Sequence, residues 1–161
     1  MRQIHMLKFL LVSILFLNTT SNAQEKNYFS FELAGSGGFG SLNFEHNILD
    51  HTSVDLNVRY GFSFTPIDKN NGANLIFPIM LHCLIGENEH KLDLAAGQAI
   101  SITTKGSFFL SAPLAIGYRF CPLDKNYYLR CSYTPLLSYL IDVQWQHWAG
   151  ITFGYHFNRK K

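Results

Sequence analysis

The last strand-like segment of the chain constrains its fold more than any other feature. Between Trp148 and Phe157 the sequence alternates strictly between two kinds of residue. One set is apolar and largely aromatic: Ala149, Ile151, Phe153, Tyr155 and Phe157. The other set is mostly small or polar. This two-residue period predicts a β-strand with one apolar face, and such a strand is typical of the closing strand of a transmembrane β-barrel.

The N-terminal segment predicts export. Two basic residues precede or flank a short apolar run at residues 9–17, and Ser21-Asn22-Ala23 then forms a small-x-small cleavage pattern. We therefore expect residues 1–23 to be a signal peptide and Gln24 to be the first residue of the mature chain. The alternative is a retained membrane anchor, but the apolar run is too short to cross a bilayer as a helix.

The expected mature chain, residues 24–161, has the size of one domain. Removing 23 residues from 161 leaves 138. The 13 Lys and Arg residues fall to 11 once Arg2 and Lys8 are removed, against 11 Asp and Glu residues. A neutral chain whose one basic run is Arg159-Lys160-Lys161 gives no support to a nucleic-acid partner. Since no later apolar stretch approaches helix-spanning length, membrane residence would require strands.

Three cysteines, Cys83, Cys121 and Cys131, form an odd set without metal-binding spacing. Together with the lack of a glycine-rich phosphate loop, this predicts no metal and no cofactor. Cys83 and Cys131 fall on apolar strand faces, where a thiol acts as a small hydrophobe. A disulfide between Cys121 and Cys131 is the alternative, but the expected hairpin register does not place them opposite each other.

Alternation recurs along the whole mature chain and predicts eight strands separated by turn residues. The predicted strands are 28–36, 40–48, 53–66, 74–85, 91–103, 108–120, 127–135 and 147–157. The expected fold is all-β, an eight-stranded antiparallel up-and-down transmembrane β-barrel. The segment 136–146 has mixed character and predicts a loop.

The connections between the predicted strands indicate an orientation. Residues 49–52, 86–89 and 122–125 are compact polar turns, whereas 67–73 and 136–146 are longer. Outer-membrane barrels place short turns on the periplasmic side and longer loops outside. With an even number of strands, both termini are then expected in the periplasm.

A soluble barrel would show the same alternation, and three further features favour the membrane barrel. Aromatic residues cluster at the ends of the apolar faces, as interfacial girdles require. The opposite faces are small, which suits the narrow lumen of eight strands, and carry charges in mid-strand. The aromatic set is Phe29, Tyr60, Phe62, Phe64, Phe120, Tyr127, Tyr133, Tyr155 and Phe157, and the small set is Ala95, Gly97, Ala99, Gly117, Gly150 and Gly154.

The alternation of side chains along the strands predicts equal numbers of acidic and basic residues on the lumen face. The set contains Glu32, Glu45, Asp55 and Asp93 with Arg59, Lys91, Arg119 and Arg130, and His82 shares their face. Buried charges must be paired, so these residues predict a salt-bridge network that plugs the lumen. The expected hairpins set His82 opposite Asp93 and Arg119 diagonal to Arg130, with carboxylates reaching the arginines from across the barrel.

Catalytic interpretations have weaker support. His82 with Asp93 could act as a base and its orienting carboxylate, but no convincing nucleophile accompanies them. A lipid-modifying enzyme would need Ser and His together near the outer rim, and the candidates Ser107, Ser111, Ser138 and His147 show no distinctive spacing. We therefore expect a non-enzymatic structural or surface role. The alternatives are a porin-like or lipid-binding barrel and, less favoured, a lipid-modifying enzyme.

Several short motifs in the second half of the chain resemble those of small outer-membrane β-barrel proteins of Gram-negative bacteria. They are Phe77-Pro78-Ile79, Leu84-Ile85-Gly86, His90-Lys91-Leu92-Asp93-Leu94-Ala95-Ala96-Gly97, Ile116-Gly117-Tyr118-Arg119-Phe120, Tyr133-Thr134-Pro135-Leu136, Trp148-Ala149-Gly150 and Gly154-Tyr155-His156-Phe157. The chain departs from the family pattern at Asp93, where Glu is usual, at Ala95 and Gln98, and in the tail 158–161.

The resemblance implies an eight-stranded barrel in the outer membrane and implies no particular activity. The expected partners are outer-membrane lipids and the barrel-assembly machinery during insertion. The resemblance also implies that Tyr155 and above all Phe157, the last aromatic of the closing strand, act as the assembly signal. The oligomeric state is left open, with a monomer as the simplest expectation.

Overall fold

A computed structural model describes residues 26–68, 72–138 and 144–158. The predicted signal peptide and its cleavage site lie outside the described residues. So do parts of two predicted loops, 69–71 and 139–143, and the end of the tail, 159–161.

The fold is a closed antiparallel barrel of eight strands, as predicted. Each strand pairs with its neighbour in sequence, and β1 pairs with β8 to close the wall. The strands are β1 (Lys26–Leu33), β2 (Gly40–Asp50), β3 (Val54–Asp68), β4 (Gly72–Ile85), β5 (His90–Thr103), β6 (Phe108–Phe120), β7 (Tyr127–Ser138) and β8 (Gln144–Asn158). A one-turn 3-10 helix, Gly35–Gly37, follows β1.

Side-chain alternation separates two environments across this wall. On β8 the outward residue Phe153 is 54% exposed, whereas its inward neighbour Thr152 is fully buried. The pattern repeats along β1, where Phe31 is 45% exposed and Glu32 is fully buried. Successive side chains of a strand point to opposite faces, so the sequence period becomes an inside and an outside. The part of the chain that the structure describes contains no helix long and apolar enough to cross a membrane.

Three predicted strand boundaries were wrong. β1 ends at Leu33 instead of residue 36, because Ala34 and Gly35 adopt positive φ values of 57° and 88° and turn the chain inward. β7 continues to Ser138 and β8 already begins at Gln144, so most of the predicted loop 136–146 is strand. Its residues pair from Leu136 with Gln146 to Ser138 with Gln144. Main-chain pairing forms these strand ends even though their side chains do not alternate between apolar and polar.

Two predicted registers were also wrong, each by two residues. His82 pairs with Ala95, and Asp93 pairs with Leu84 instead. Arg119 stands directly opposite Arg130, not diagonal to it. A shift of two residues keeps every side chain on its face, so the interior composition was unaffected.

The first and last described residues lie at the same end of the barrel. Lys26 at the start of β1 pairs with Asn158 at the end of β8. The Lys26 ammonium also lies 2.8 Å from the Asp50 carboxylate at the end of β2. The connections 51–53, 86–89 and 121–126 share this end with the start of β1 and the end of β8, and the segment 34–39 lies at the opposite end.

Candidate functional site

The barrel interior is polar and ionic. Arg59, Arg119 and Arg130 are among the largest fully buried side chains, together with Glu32 and Glu45. All nine residues of the predicted network lie on the inner face. Among them, His82 and Asp93 are buried like the arginines and glutamates. Few apolar side chains accompany them, and the small cluster of Met80, Ala95 and Ala115 is buried beside them.

Glu32 of β1 binds two arginines from distant strands. Its Oε2 accepts a hydrogen bond from Arg59 Nη2 at 2.9 Å, and its Oε1 accepts one from Arg130 Nη2 at 2.5 Å. The hydroxyl of Ser36 donates to the same Oε2 at 3.0 Å. Ionised partners make short, strong hydrogen bonds, so this carboxylate ties β1 to β3 and β7 through the lumen.

Asp93 of β5 is the second centre of the network. Its Oδ2 accepts hydrogen bonds from Arg119 Nε at 3.0 Å and Nη2 at 2.7 Å. Arg130 Nη1 approaches the same oxygen at 3.5 Å. The other carboxylate oxygen lies 2.7 Å from His82 Nδ1. One carboxylate thus contacts side chains from β4, β6 and β7.

Arg119 is bound on all sides. Besides Asp93 it donates to both oxygens of Glu45, at 2.7 Å and 3.2 Å. Its guanidinium carbon lies 4.4 Å from the centroid of the Tyr128 ring, which is a cation–π contact. Glu45 also accepts a 2.5 Å hydrogen bond from Asn57. These contacts compensate the desolvation of a fully buried guanidinium.

Lys91 and Asp55 form a separate ion pair nearer the barrel end that holds the termini. The Lys91 side chain is 18% exposed and that of Asp55 is 7% exposed, so this pair is less buried than the arginine network. All four interior carboxylates and all four interior cations therefore have an ionic partner.

The segment Gly35–Gly37 folds into the lumen, a feature that the sequence analysis missed. The Ser36 hydroxyl accepts a hydrogen bond from Arg59 Nη2 at 2.7 Å while it donates to Glu32. A Cβ added to Gly35 would lie 2.6 Å from Glu32 Oε1, so the backbone itself packs on the network. The available signal was the Gly-Ser-Gly-Gly run at 35–38, which favours tight positive-φ turns over a strand.

Aromatic side chains lie at both ends of the lumen. At the end that carries this inward turn, Phe39 and Trp148 make an edge-to-face contact with centroids 5.7 Å apart. At the opposite end, the ring of Tyr28 lies 5.6 Å from Tyr128 and 5.5 Å from His156. Aromatic contacts therefore lie beyond the ionic network toward each end of the barrel.

His82 does not have the surroundings of a catalytic base. Its Nδ1 lies between the Asp93 carboxylate at 2.7 Å and the Arg130 guanidinium at 3.3 Å, so it must carry the proton and donate to Asp93. Its Nε2 is buried and has no hydrogen-bond partner in the part of the chain that is described. A base of the Ser-His-Asp kind needs a nucleophile at that nitrogen, and none is within hydrogen-bonding distance there.

The rim candidates are only partly brought together. Ser111 and Ser138 pair across β6 and β7. His147 instead stacks on Tyr133, with ring centroids 6.0 Å apart, and its Nδ1 lies 2.5 Å from the Tyr133 hydroxyl. Ser107 belongs to the β5–β6 turn, where its backbone N–H donates to Thr103 Oγ1. Among the described residues, these three serines and His147 therefore form no Ser-His dyad.

The cysteines are free thiols. Cys131 is exposed on the outer wall, and Cys83 also faces outward. Burial raises the pKa of the Cys121 thiol in the β6–β7 connection, which disfavours the reactive thiolate. Within the described residues, no three His, Cys, Asp or Glu side chains are arranged to hold a metal ion.

Tyr155 and Phe157 lie on the outer face at the closing seam, half-exposed. Tyr155 pairs with Phe29 of β1, and the Phe157 ring lies 6.0 Å from that of Phe44. The two residues therefore contribute to an outward aromatic surface that spans the junction of β8 with β1.

Comparison with solved structures agrees with this architecture. The N-terminal β-barrel domain of Pseudomonas aeruginosa OprF matches with a TM-score of 0.57 and 14% sequence identity, covering 83% of this chain and 98% of that one. The Yersinia pestis outer membrane protein Ail, determined in a phospholipid bilayer nanodisc, matches with a TM-score of 0.57 and 14% identity, covering 84% and 100%. No family model and no curated protein sequence matches the chain. The expected likeness in fold is confirmed: the chain has the fold of small eight-stranded outer-membrane barrels.

Proposed function

We propose that the protein is an integral outer-membrane β-barrel with a closed lumen and a structural or surface role without catalysis. The observation that carries this proposal is the inverted distribution of side chains. Glu32, Arg119 and His82 are fully buried inside, whereas outward residues such as Ile151 and Phe153 are 60% and 54% exposed. A continuous apolar exterior of this kind is unfavourable in water and is matched by lipid.

Outward aromatic side chains near the junction of β8 and β1 also support a membrane setting. Outward rings occupy neighbouring positions on β8, β1, β2 and β3, where Tyr155 pairs with Phe29, Phe29 with Phe44, and Phe44 with Tyr60. Aromatic rings are favoured at the membrane interface. One of the two matched proteins is an outer-membrane protein in a phospholipid bilayer and the other is a β-barrel domain, and this supports the same setting.

The side chains and the turn that fill the lumen support the proposal that it is closed. Eight strands leave an interior just wide enough for side chains. Here three arginines bridge opposite walls through Glu32, Glu45 and Asp93, and the Gly35–Gly37 turn occupies the space next to them. A porin-like barrel needs a continuous water path, and this ionic network would have to break for one to form.

The orientation and partners are part of the proposal. The signal peptide directs the chain across the inner membrane, the assembly machinery inserts it, and outer-membrane lipids surround it as a monomer. Both termini then lie in the periplasm, because the short connections share their end of the barrel.

Cell fractionation with heat-modifiable gel mobility tests the membrane barrel. We expect the protein in the outer-membrane fraction, with folded and heated forms that migrate differently. Recovery in a soluble fraction with one mobility would overturn the proposal. Planar-bilayer recording of refolded protein then tests the lumen separately. Steady single-channel currents, absent without protein, would overturn the closed lumen and leave the membrane barrel intact.

A further inference from the structure

Two tyrosine–histidine pairs lie on the outer wall of the barrel. His90 Nδ1 is hydrogen-bonded to the Tyr118 hydroxyl, and the two rings stack with centroids 5.9 Å apart. In the other pair, His147 Nδ1 lies 2.5 Å from the Tyr133 hydroxyl, and the rings stack with centroids 6.0 Å apart. All four side chains are exposed. The same arrangement therefore occurs twice, on different strands of the outer face.

Strand pairing gives the relative height of the two histidines. A line of paired residues leads from His90 through Phe120 and Leu129 to Phe153 of β8. His147 lies six residues from Phe153 on β8, toward the far end of the barrel, which carries the segment 34–39. Six residues of a strand span about 20 Å. The two pairs therefore lie toward opposite ends of the wall.

Strand tilt adds to this difference in height. Continued once around the barrel, the line of pairs that starts at His90 returns to β5 at Ile100, ten residues nearer the far end. The step from Phe62 to Phe77 is defined by their ring contact and by paired residues on both sides of it. The line runs through Phe120, Leu129, Phe153, Phe31, Leu42, Phe62 and Phe77. Each step between strands therefore rises toward the far end.

The resulting height difference matches the thickness of a membrane. Strands spaced about 4.8 Å apart and tilted by about 40° place His147 about 25 Å above His90. The apolar band of an outer-membrane barrel is also about 25 Å tall. Tyr118 and Tyr133 lie between the two histidines, two residues apart in the ladder of β6 and β7. Each tyrosine ring thus lies within the band, and its hydroxyl reaches a histidine at the border.

The tyrosine hydroxyls determine which nitrogen of each histidine carries the proton. A hydroxyl hydrogen inside the apolar band requires an acceptor from the protein, because lipid chains offer none. Nδ1 of a neutral histidine accepts this hydrogen only when the ring proton is on Nε2. His90 and His147 therefore each have an N–H donor at Nε2, on an exposed ring at the border of the band.

His46 provides a natural contrast on the same outer face. It pairs with Asn27 near the start of β1, so it lies toward the same end of the barrel as His90. Its Nδ1 lies 2.7 Å from Asn27 Oδ1, which is an acceptor. Nδ1 of His46 must therefore carry the proton, and its Nε2 is an acceptor when the ring is neutral.

We infer that the two pairs are lipid headgroup sites, one at each border of the membrane, in which Nε2 of His90 and Nε2 of His147 donate hydrogen bonds to lipid phosphates. The inference rests on the proposed function, because this wall must face lipid. Hydrogen bonds to ionised phosphate oxygens are short and strong, and headgroups lie where the apolar band ends. Tyr118 and Tyr133 are positioning residues, since each fixes the tautomer of its histidine. Together the two sites hold the barrel at a defined depth.

Solid-state NMR of the mature chain in phosphatidylglycerol vesicles tests the sites. The measurement is the dipolar coupling between lipid phosphorus and the assigned histidine ring nitrogens, in phosphate-free buffer at alkaline pH, where imidazole is neutral. We expect coupling at Nε2 of His90 and His147, and none at His46. Absence of coupling at His90 and His147 would overturn the inference. Equal coupling at His46 would overturn the role of the tyrosine pairs, because border position alone would then bring a ring to phosphate.

Tyr118→Phe and Tyr133→Phe serve as matched controls for each other. Each substitution removes one hydroxyl and keeps the ring. The histidine of the altered pair should lose phosphorus coupling, and its proton should shift toward Nδ1, while the other pair stays unchanged. Heat-modifiable mobility establishes that each variant is folded; if one is not, the other variant and the unaltered protein decide. Unchanged coupling after substitution would overturn positioning by the tyrosines.

Vesicles of a phosphate-free galactolipid distinguish lipid phosphate from free phosphate. We expect no phosphorus coupling there, with or without added inorganic phosphate. Coupling to inorganic phosphate as strong as that to phosphatidylglycerol would overturn the assignment to lipid. Flotation with the vesicles reports on the proposed function separately. A folded chain that floats with neither vesicle contradicts the membrane barrel, whereas a floating, heat-modifiable barrel without phosphorus coupling contradicts only the headgroup sites.

Discussion

Arg119 and Arg130 face each other directly across β6 and β7, and both contact the same oxygen of Asp93, at 2.7 Å and 3.5 Å. Like charges in opposite positions destabilise a sheet. Here Glu45 also binds Arg119 and Glu32 also binds Arg130, so the two arginines share Asp93 and each has a second carboxylate; Glu32 is in turn shared with Arg59. The stability of the interior should therefore depend strongly on Asp93, which serves two buried arginines and His82.

Replacing Asp93 by Asn should lower the free energy of unfolding by about 3–5 kcal/mol, because two buried arginines lose their shared counter-charge. Urea unfolding in lipid vesicles measures the change. Asp55→Asn is the matched control and should have a smaller effect, since its partner Lys91 is 18% exposed. A larger effect at Asp55 than at Asp93 would contradict this account of the network.

The inward turn can be tested with two glycines of the same backbone conformation. Gly35 has φ of +88° and Gly106 has φ of +89°, so alanine should be strained by about 1–2 kcal/mol at either position. An added Cβ at Gly35 would also meet Glu32, whereas nothing lies within 4 Å at Gly106. Gly35→Ala should therefore lower the unfolding midpoint more than Gly106→Ala. Equal losses would show that the turn does not pack on the network.

The lipid-facing side can be tested at Ile116, which is 53% exposed on the outer wall. Ile116→Arg should destabilise the folded barrel by about 2–4 kcal/mol if the residue lies near the bilayer midplane. Leu94, its partner on β5, should respond in the same direction to Arg. Ala95→Ser, on the inner face, should have a far smaller effect. Equal folding yields of these variants in vesicles would mean that the two faces are exchanged.

The closing strand makes a prediction about assembly. Phe157→Ala should reduce the amount of heat-modifiable barrel, because the ring anchors the strand end and contacts Phe44 across the seam. Deletion of residues 159–161 should leave insertion intact. Asn158 is retained in this design because it belongs to β8 and pairs with Lys26. Loss of assembly on deletion, together with normal assembly of Phe157→Ala, would exclude Phe157 as the terminal signal.

The start of the mature chain can be determined directly. We expect envelope protein to begin at Gln24, because Ser21 and Ala23 follow the short apolar run as a cleavage site. Intact-mass spectrometry of the purified protein distinguishes the alternatives. A mass that still includes residues 1–23 would favour a retained anchor.

The eight strands and their two faces were predictable from sequence because both depend on a local property, the period of two residues along a strand. Alternation along each strand was enough to assign Glu32, Arg59 and Arg130 to the interior. It also gave the equal numbers of interior carboxylates and cations, four of each. The structure then shows which carboxylate pairs with which cation. Sequence alternation fails where side chains are mixed in character, as in 136–146, whose described residues are strand, and at 34–36, where positive φ values end β1.

Tertiary structure decided the register and the filling of the lumen. A slip of two residues leaves every side chain on its face, so no alternating pattern could distinguish His82 opposite Asp93 from His82 opposite Ala95. The inward path of Gly35–Gly37 likewise depends on the hydrogen bond from Arg59 of β3 to Ser36, which joins residues 23 positions apart, while Ser36 donates locally to Glu32. Local patterns therefore determined which side chains face inward, and contacts across the closed barrel determined which of them meet.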